Sequence, residues 1–193
     1  MFFFLLPPAH LQAAPVPARP LHEILEALEN LPEAITDRRP GRVAHDAAAA
    51  ARVWAHTEAA LTPHVAPGDQ PALAKALAGL HAKDPKDAAL AALDAQDLLL
   101  KLVPAGRDHE LRRADQDGMR AWINVDLGRW DAVPDLDAAF AWLRTHDEGR
   151  HTRAVAEVAR ELTAFDAARK ARQSAPALRA AQRLLDLVDV LEK

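Results

Sequence analysis

Three aspartates stand where a helical pattern calls for apolar residues: Asp97, Asp115 and Asp126. With 100° per residue and Leu111 at 0°, Trp122 falls at about 20°, Met119 at about 80° and Trp130 at about 100°. Asp115 and Asp126 fall at about 40° and 60°, in the middle of that stripe. On the preceding segment, with Leu93 at 0°, Asp97 lies at about 40°, between Leu90 and Leu100. A buried carboxylate needs a partner or a proton, because an isolated charge is too costly to desolvate. Oxygen ligands converging from neighbouring helices are what hold cations inside bundles. The pattern therefore nominates Asp97, Asp115 and Asp126 as a cluster for a metal ion or other cation. The competing reading is structural, with Arg42, Arg112, Arg113 or Arg120 reaching in to pair the carboxylates.

Other chemistry-bearing residues are thinner on the ground. Glu148 and His151 make one Glu-x-x-His, whereas di-iron bundles need two such motifs plus two further glutamates. His146 and Asp147 beside them widen this to a surface site for zinc or copper, against plain solvated residues at a helix end. His45 and His56 share a helix face roughly opposite Trp54, so they point to solvent or against a partner. No Gly-rich phosphate loop, Gly-x-Ser-x-Gly or His-Glu-x-x-His occurs, and Ser174, the single serine, reads as a helix cap. The absence of cysteine excludes disulfides, thiolate metal sites and cysteine nucleophiles. The expectation is a protein that binds rather than catalyses.

The elements that must position these residues are helical. Half of the residues are hydrophobic, most of them Ala and Leu, with β-branched residues sparse, which favours helix over sheet. Leu21, Leu25, Leu28, Leu31 and Ile35 mark a first helix with an acidic outer face of Glu23, Glu26, Glu29 and Glu33. Pro32 should kink or end it. A second helix runs from about Val43 to Leu61, a shorter one over Pro71 to His81 with Asp69 as its cap, and a fourth over Lys86 to Val103 behind Asp84. The central helix covers Asp108 to about Trp130, with Gly118 a mild weakness and Gly128 a stop signal. A short helix follows Pro134-Asp135, then long ones over His151 to Gln173 and from Ser174 onward. Ala89 to Val103 and Ala177 to Leu191 share a layout, which suggests a duplicated helical hairpin, with Val43 to Leu61 matching Leu111 to Trp130. The fold class is all-α: one bundle of six to eight helices over residues 21–193.

Residues 1–20 read as a leader. A short apolar block from Phe2 to Leu6 precedes Pro7-Pro8, small residues at Ala13 and Ala14, and a Pro-rich entry, which resembles the back half of a secretory signal peptide. The block is shorter than the usual 7–15 residues and no basic residue precedes it. The expected location is periplasmic or secreted, in a bacterium given the Ala-, Arg-, Pro- and Leu-rich composition. The net charge of −4 argues against general nucleic-acid affinity, and no apolar run approaches a membrane span.

Between Arg150 and Arg183 the charge is positive, which makes a docking face for an acidic partner or an anionic lipid, or more simply is balanced by the acidic first helix laid across that hairpin. The segment DLGRWDAVPDLDAAFAWL (residues 126–143) resembles tetratricopeptide-type helical hairpins over that stretch alone, without the regular period of roughly 34 residues. Two functional expectations result: a small exported bundle that binds a ligand such as a metal ion or cation, and a structural or protein-interaction module of helical hairpins.

Overall fold

In the computed structural model, which describes residues 15–146 and 151–192, the protein is an all-α bundle. Its helices are α1 (Ala18–Thr36), α2 (Val43–Leu61), α3 (Gln70–Gly79), α4 (Pro85–Leu100), α5 (Arg107–Asp126), α6 (Leu136–Thr145), α7 (Thr152–Lys170) and α8 (Ser174–Glu192). Three 3-10 turns, Pro40–Arg42, Thr62–His64 and Trp130–Ala132, join them, and the described residues contain no strand. The leader through Ala14 and the segment 147–150, with Asp147 and Glu148, lie outside the described residues.

The apolar seams read from spacing are the buried faces. Leu21, Leu25, Leu28, Leu31 and Ile35 of α1 are buried, as are Val158, Leu162 and Phe165 of α7 and Leu184, Leu185, Val188 and Leu191 of α8. Each seam recurs at the helical period, so one face of each helix leaves water while the other stays solvated.

Packing divides the chain into two halves with the same internal pattern. In the first, α1 packs on α2 and α4, and α3 packs on α4; in the second, α5 packs on α6 and α8, and α7 packs on α8. The likeness of Ala89–Val103 to Ala177–Leu191 thus has a spatial counterpart, because α4 and α8 occupy equivalent places. The other half of that comparison is corrected: α5 corresponds by position to α1, not to α2. The halves meet along α5, which touches α4 and α1.

Local rules explain most boundaries. Asp84 accepts from the Lys86 backbone N–H at 2.8 Å, with Pro85 opening α4. Asp135 accepts from the N–H groups of Asp137 (3.0 Å) and Ala138 (3.4 Å) at the start of α6. Both are side-chain oxygens satisfying orphan donors of a first turn. At Gly128, φ is +70°. The Arg129 N–H donates to Asn124 O and the Gly128 N–H to Val125 O, a Schellman stop that needs the left-handed conformation glycine adopts without strain.

Three expectations are corrected here. The central helix ends at Asp126, and Trp130 sits in a separate turn, partly exposed. Pro32 neither ends nor delimits α1, which continues to Thr36; the buried Leu31, Ala34 and Ile35 around it hold that turn against the core, and tertiary packing outweighs one missing backbone bond. Asp69 does not cap α3; its carboxylate instead accepts from Lys101 at 2.9 Å.

Two glycines mark close approaches with different tolerance. A Cβ on Gly79 would stand 2.7 Å from the Ala91 Cβ of α4, and one on Gly118 would stand 2.7 Å from Leu185 Cδ2 of α8. Alanine's Cβ cannot move without its backbone, whereas a leucine tip can turn. We expect Gly79→Ala to destabilise by about 1–3 kcal/mol. Gly118→Ala should change stability by less than about 1 kcal/mol, because better helix propensity offsets the shifted leucine. Urea denaturation of the two variants checks the order, and the reverse order contradicts this packing.

Candidate functional site

The three predicted aspartates lie on or beside the contact between the halves, and each has different surroundings. Asp97 of α4 receives Arg120 Nη2 of α5 at 2.5 Å, and the same guanidinium reaches Asp94 through Nη1 at 2.7 Å. Burial lifts the Asp97 carboxyl above its ordinary range, and the Arg120 charge offsets part of that. Asp126, at the end of α5, is exposed and paired with Lys86 in the first turn of α4. Arg129 adds a bond to Asp87 at 3.1 Å nearby. Asp97 and Asp126 are therefore stitches between antiparallel α4 and α5, as the pairing reading allowed through Arg120.

Asp115 is different. It is partly buried, and among the described residues it accepts no hydrogen bond and joins no ion pair. Burial pushes its carboxyl well above the usual range, and Glu29 and Glu33 of α1 with Glu192 and Asp189 of α8 push it further. The three aspartates thus share no centre. Among the described residues no group of three or more His, Asp or Glu side chains is placed to hold a metal ion.

What the sequence reading missed is the company Asp115 keeps. Arg112 of α5 lies beside Glu26 (3.0 Å) and Glu29 (3.4 Å) of α1, while Trp122 shares a cleft with Thr36, Asp37 and Arg38 at the end of α1. Helices α1 and α5 therefore run parallel. On the other side of α5, Arg107 donates to the Leu191 carbonyl and Gly118 faces Leu185, so α8 runs antiparallel. Helix α5 forms the floor between α1 and α8.

Charges facing this groove do not balance. Glu26, Glu29 and Glu33 come from α1, Asp115 from α5, and Asp189 and Glu192 from α8; Arg112 and Arg42 act on them, His22 lies beside Arg112 and Glu26, and Arg38 and Arg179 line the cleft at Trp122. Burial raises the Glu29 carboxyl to about 7, with Arg112 opposing and Glu33, Glu26 and Glu192 reinforcing the rise. Glu33 and Glu192 are raised too, by burial first and neighbouring carboxylates after it. The available signal was the row Glu26, Glu29, Glu33 on α1, which spacing assigned to solvent.

Other charged regions are compensated. The cleft between α6 and α7 is lined by Asp137, Arg144, Asp166, Arg169 and Lys170. There Arg144 pairs with Asp137 at 3.0 Å, and Arg169 and Lys170 both pair with Asp166. The basic hairpin α7–α8 does not receive the acidic face of α1. Its arginines pair locally, Arg153 and Arg183 with Glu157 and Arg160 with Glu161. His45 and His56 are exposed, as expected. His146 stacks on Trp142, with ring centroids 4.5 Å apart. Asp46 is buried, with one oxygen unpaired and Arg42 at 3.6 Å from the other.

The stitching role has a measurable consequence. Arg120 is mostly covered while Asp94 and Asp97 are half exposed or more. Arg120→Ala, which removes both bonds and the packed stem, is expected to cost about 1 kcal/mol, and Asp97→Asn less than that. Chemical denaturation at low and high salt checks both. A larger loss for Asp97→Asn would mean that Asp97 has a partner other than Arg120. No family model, curated protein or solved structure matches this chain.

Proposed function

We propose that the protein is a non-catalytic binding module whose acidic α1–α5–α8 groove takes a basic segment of a partner protein. The observation that carries this reading is the charge surplus along α1, α5 and α8: Glu26, Glu29, Glu33, Asp115, Asp189 and Glu192 act on one another with Arg112 and Arg42 opposing, and Arg38 and Arg179 at the Trp122 end leave the acids in excess. A row of carboxylates along a helix attracts a row of lysines or arginines more effectively than it wraps one small ion. The missing three-ligand arrangement among the described residues points the same way. This joins the two expectations drawn from the sequence, a cation binder and an interaction module of helical hairpins. No described helix is long and apolar enough to cross a membrane. Export through the leader remains part of the proposal, and N-terminal sequencing of protein from its own host tests it; an intact Met1 end refutes export by cleavage.

Binding is tested by titrating a fluorescent oligo-lysine peptide into the full chain, with calcium and zinc chloride in parallel calorimetric runs. The expected result is peptide binding that weakens as salt rises. Glu26→Lys with Glu33→Lys should weaken it at least about tenfold, the cost of about 1.4 kcal/mol. Glu58→Lys on exposed α2, a charge reversal away from the groove, should weaken it much less. Equal loss in the groove and control variants would reduce the effect to bulk charge and overturn the proposal. Stoichiometric divalent binding without peptide binding would restore the metal reading in its place.

A further inference from the structure

Helices α1, α5 and α7 end in the same backbone closure. The Arg38 N–H donates to Ile35 O and the Arg39 N–H to Ala34 O; Gly128 and Arg129 repeat this on Val125 and Asn124, and Arg172 and Gln173 on Arg169 and Ala168. The first residue of each pair lies in the left-handed region, with φ +59° at Arg38, +70° at Gly128 and +50° at Arg172. Glycine takes that conformation without strain and arginine does not. Arg38 therefore holds on α1 the place that Gly128 holds on the corresponding α5. Arg172 reaches Asp131 at 3.5 Å. The Arg38 side chain makes no hydrogen bond or ion pair among the described residues.

What Arg38 does instead is line a cleft. With Thr36 and Asp37 it walls a cavity of about 560 Å³, opposite Leu178, Arg179 and Gln182 of α8 and over Trp122 of α5. Arg179 is exposed and likewise joins no ion pair among the described residues. Trp122 is 6% exposed, and its indole N–H has no acceptor among the described residues, where a buried indole ordinarily finds one. The fully buried side-chain atoms without a partner among the described residues are oxygens of Asp46, Gln96 and Gln116. The indole nitrogen is therefore accessible, and Trp122 borders the cleft. Other polar groups there are engaged. Asp37 has Arg39 at 3.7 Å, the Gln182 amide reaches Asp186 at 3.5 Å, and the carbonyls of Glu33, Ala34 and Ile35 accept bonds from the closing turn of α1. The unmet groups of the cleft are donors, two guanidiniums and an indole N–H.

We propose that this cleft binds a small organic anion, a carboxylate or phosphate group carried on an apolar body. The planar forks of Arg38 and Arg179 suit either oxyanion, and the Trp122 N–H supplies a further donor to the head. Leu178, Ala175 and the indole edge give the body apolar contact, in a volume typical of small-molecule sites. Ala175 lies in the first turn of α8, whose positive end favours the same charge. Acids resume one turn away, at Glu33 on α1 and Asp186 on α8, which confines an anionic head to the arginine end. The site goes beyond the basic-segment reading and does not rest on it, because the donors Arg38, Arg179 and Trp122 are not among the acids that reading uses.

The test follows the indole N–H resonance of Trp122, assigned with Trp122→Phe, in the nitrogen-15-labelled full chain. Phenyl phosphate and 3-phenylpropionate are titrated in separate arms, with inorganic phosphate and acetate beside them. The expected result is a saturable shift with phenyl phosphate or 3-phenylpropionate, the tighter arm identifying the head group. Arg38→Gly and Arg179→Gln should each weaken it about tenfold or more, the worth of a charged hydrogen bond. Arg52→Gln on exposed α2 should leave it unchanged. Arg38→Gly should also keep or raise the melting temperature, since glycine relieves the left-handed turn; a structural role for the arginine predicts the opposite, and a lower melting temperature counts against the site. The proposal is overturned if none of the four compounds gives a saturable shift, or if neither arginine variant weakens binding more than Arg52→Gln does. Inorganic phosphate binding as tightly as phenyl phosphate would mean an adventitious ion only, and overturns it too.

Discussion

Two arginines on α5 bridge the two halves of this bundle, beside the Lys86–Asp126 and Arg129–Asp87 pairs. Arg112 reaches α1 at Glu26 and Glu29, and Arg120 reaches α4 at Asp94 and Asp97. Helix α5 has to serve as an inner element of the second half, buried through Ala114, Gly118, Trp122 and Val125, and also as the surface presented to the first half. An entirely apolar helix could do the first task alone. The second needs polar groups that find partners in another layer, and guanidiniums suit it because their stems pack while their heads reach outward.

The same division of labour leaves a deficit. Arg112 bonds two carboxylates, and nothing comparable reaches Asp115 from α1 or α8. Folding therefore places Asp115 between the acidic face of α1 and the acidic end of α8, and its carboxyl is raised as a desolvated acid's is. Burial raises Glu29, Glu33, Asp115 and Glu192 first, and the carboxylates that α1 and the end of α8 bring to α5 add to the rise. A groove that carries surplus charge suits the proposed basic partner.

Most of the fold was legible because it rests on periodicity. The seam Leu21 to Ile35, the cap at Asp84 and the stop at Gly128 follow from side-chain spacing, an oxygen acceptor before a first turn and a residue that tolerates positive φ. Pro32 was misleading because a backbone penalty is local whereas burial of the surrounding α1 face is collective. The likeness of α4 to α8 was readable in composition, yet the matching of α1 with α5 was not, since Leu-rich and Arg-rich helices look unlike even in equivalent places.

The sequence alone determined that Asp97, Asp115 and Asp126 deserved notice, since each interrupts an apolar stripe. Only the tertiary structure decided their roles. A helical wheel keeps angle and discards height: Asp115 and Asp126 nearly coincide in projection but stand eleven residues apart, about 16 Å along the axis. At one height α4 offers Lys86; at the other, α1 and α8 offer more acid. A side chain's own helix sets the direction in which it points, whereas its charge state depends on whichever helices the fold brings to that level.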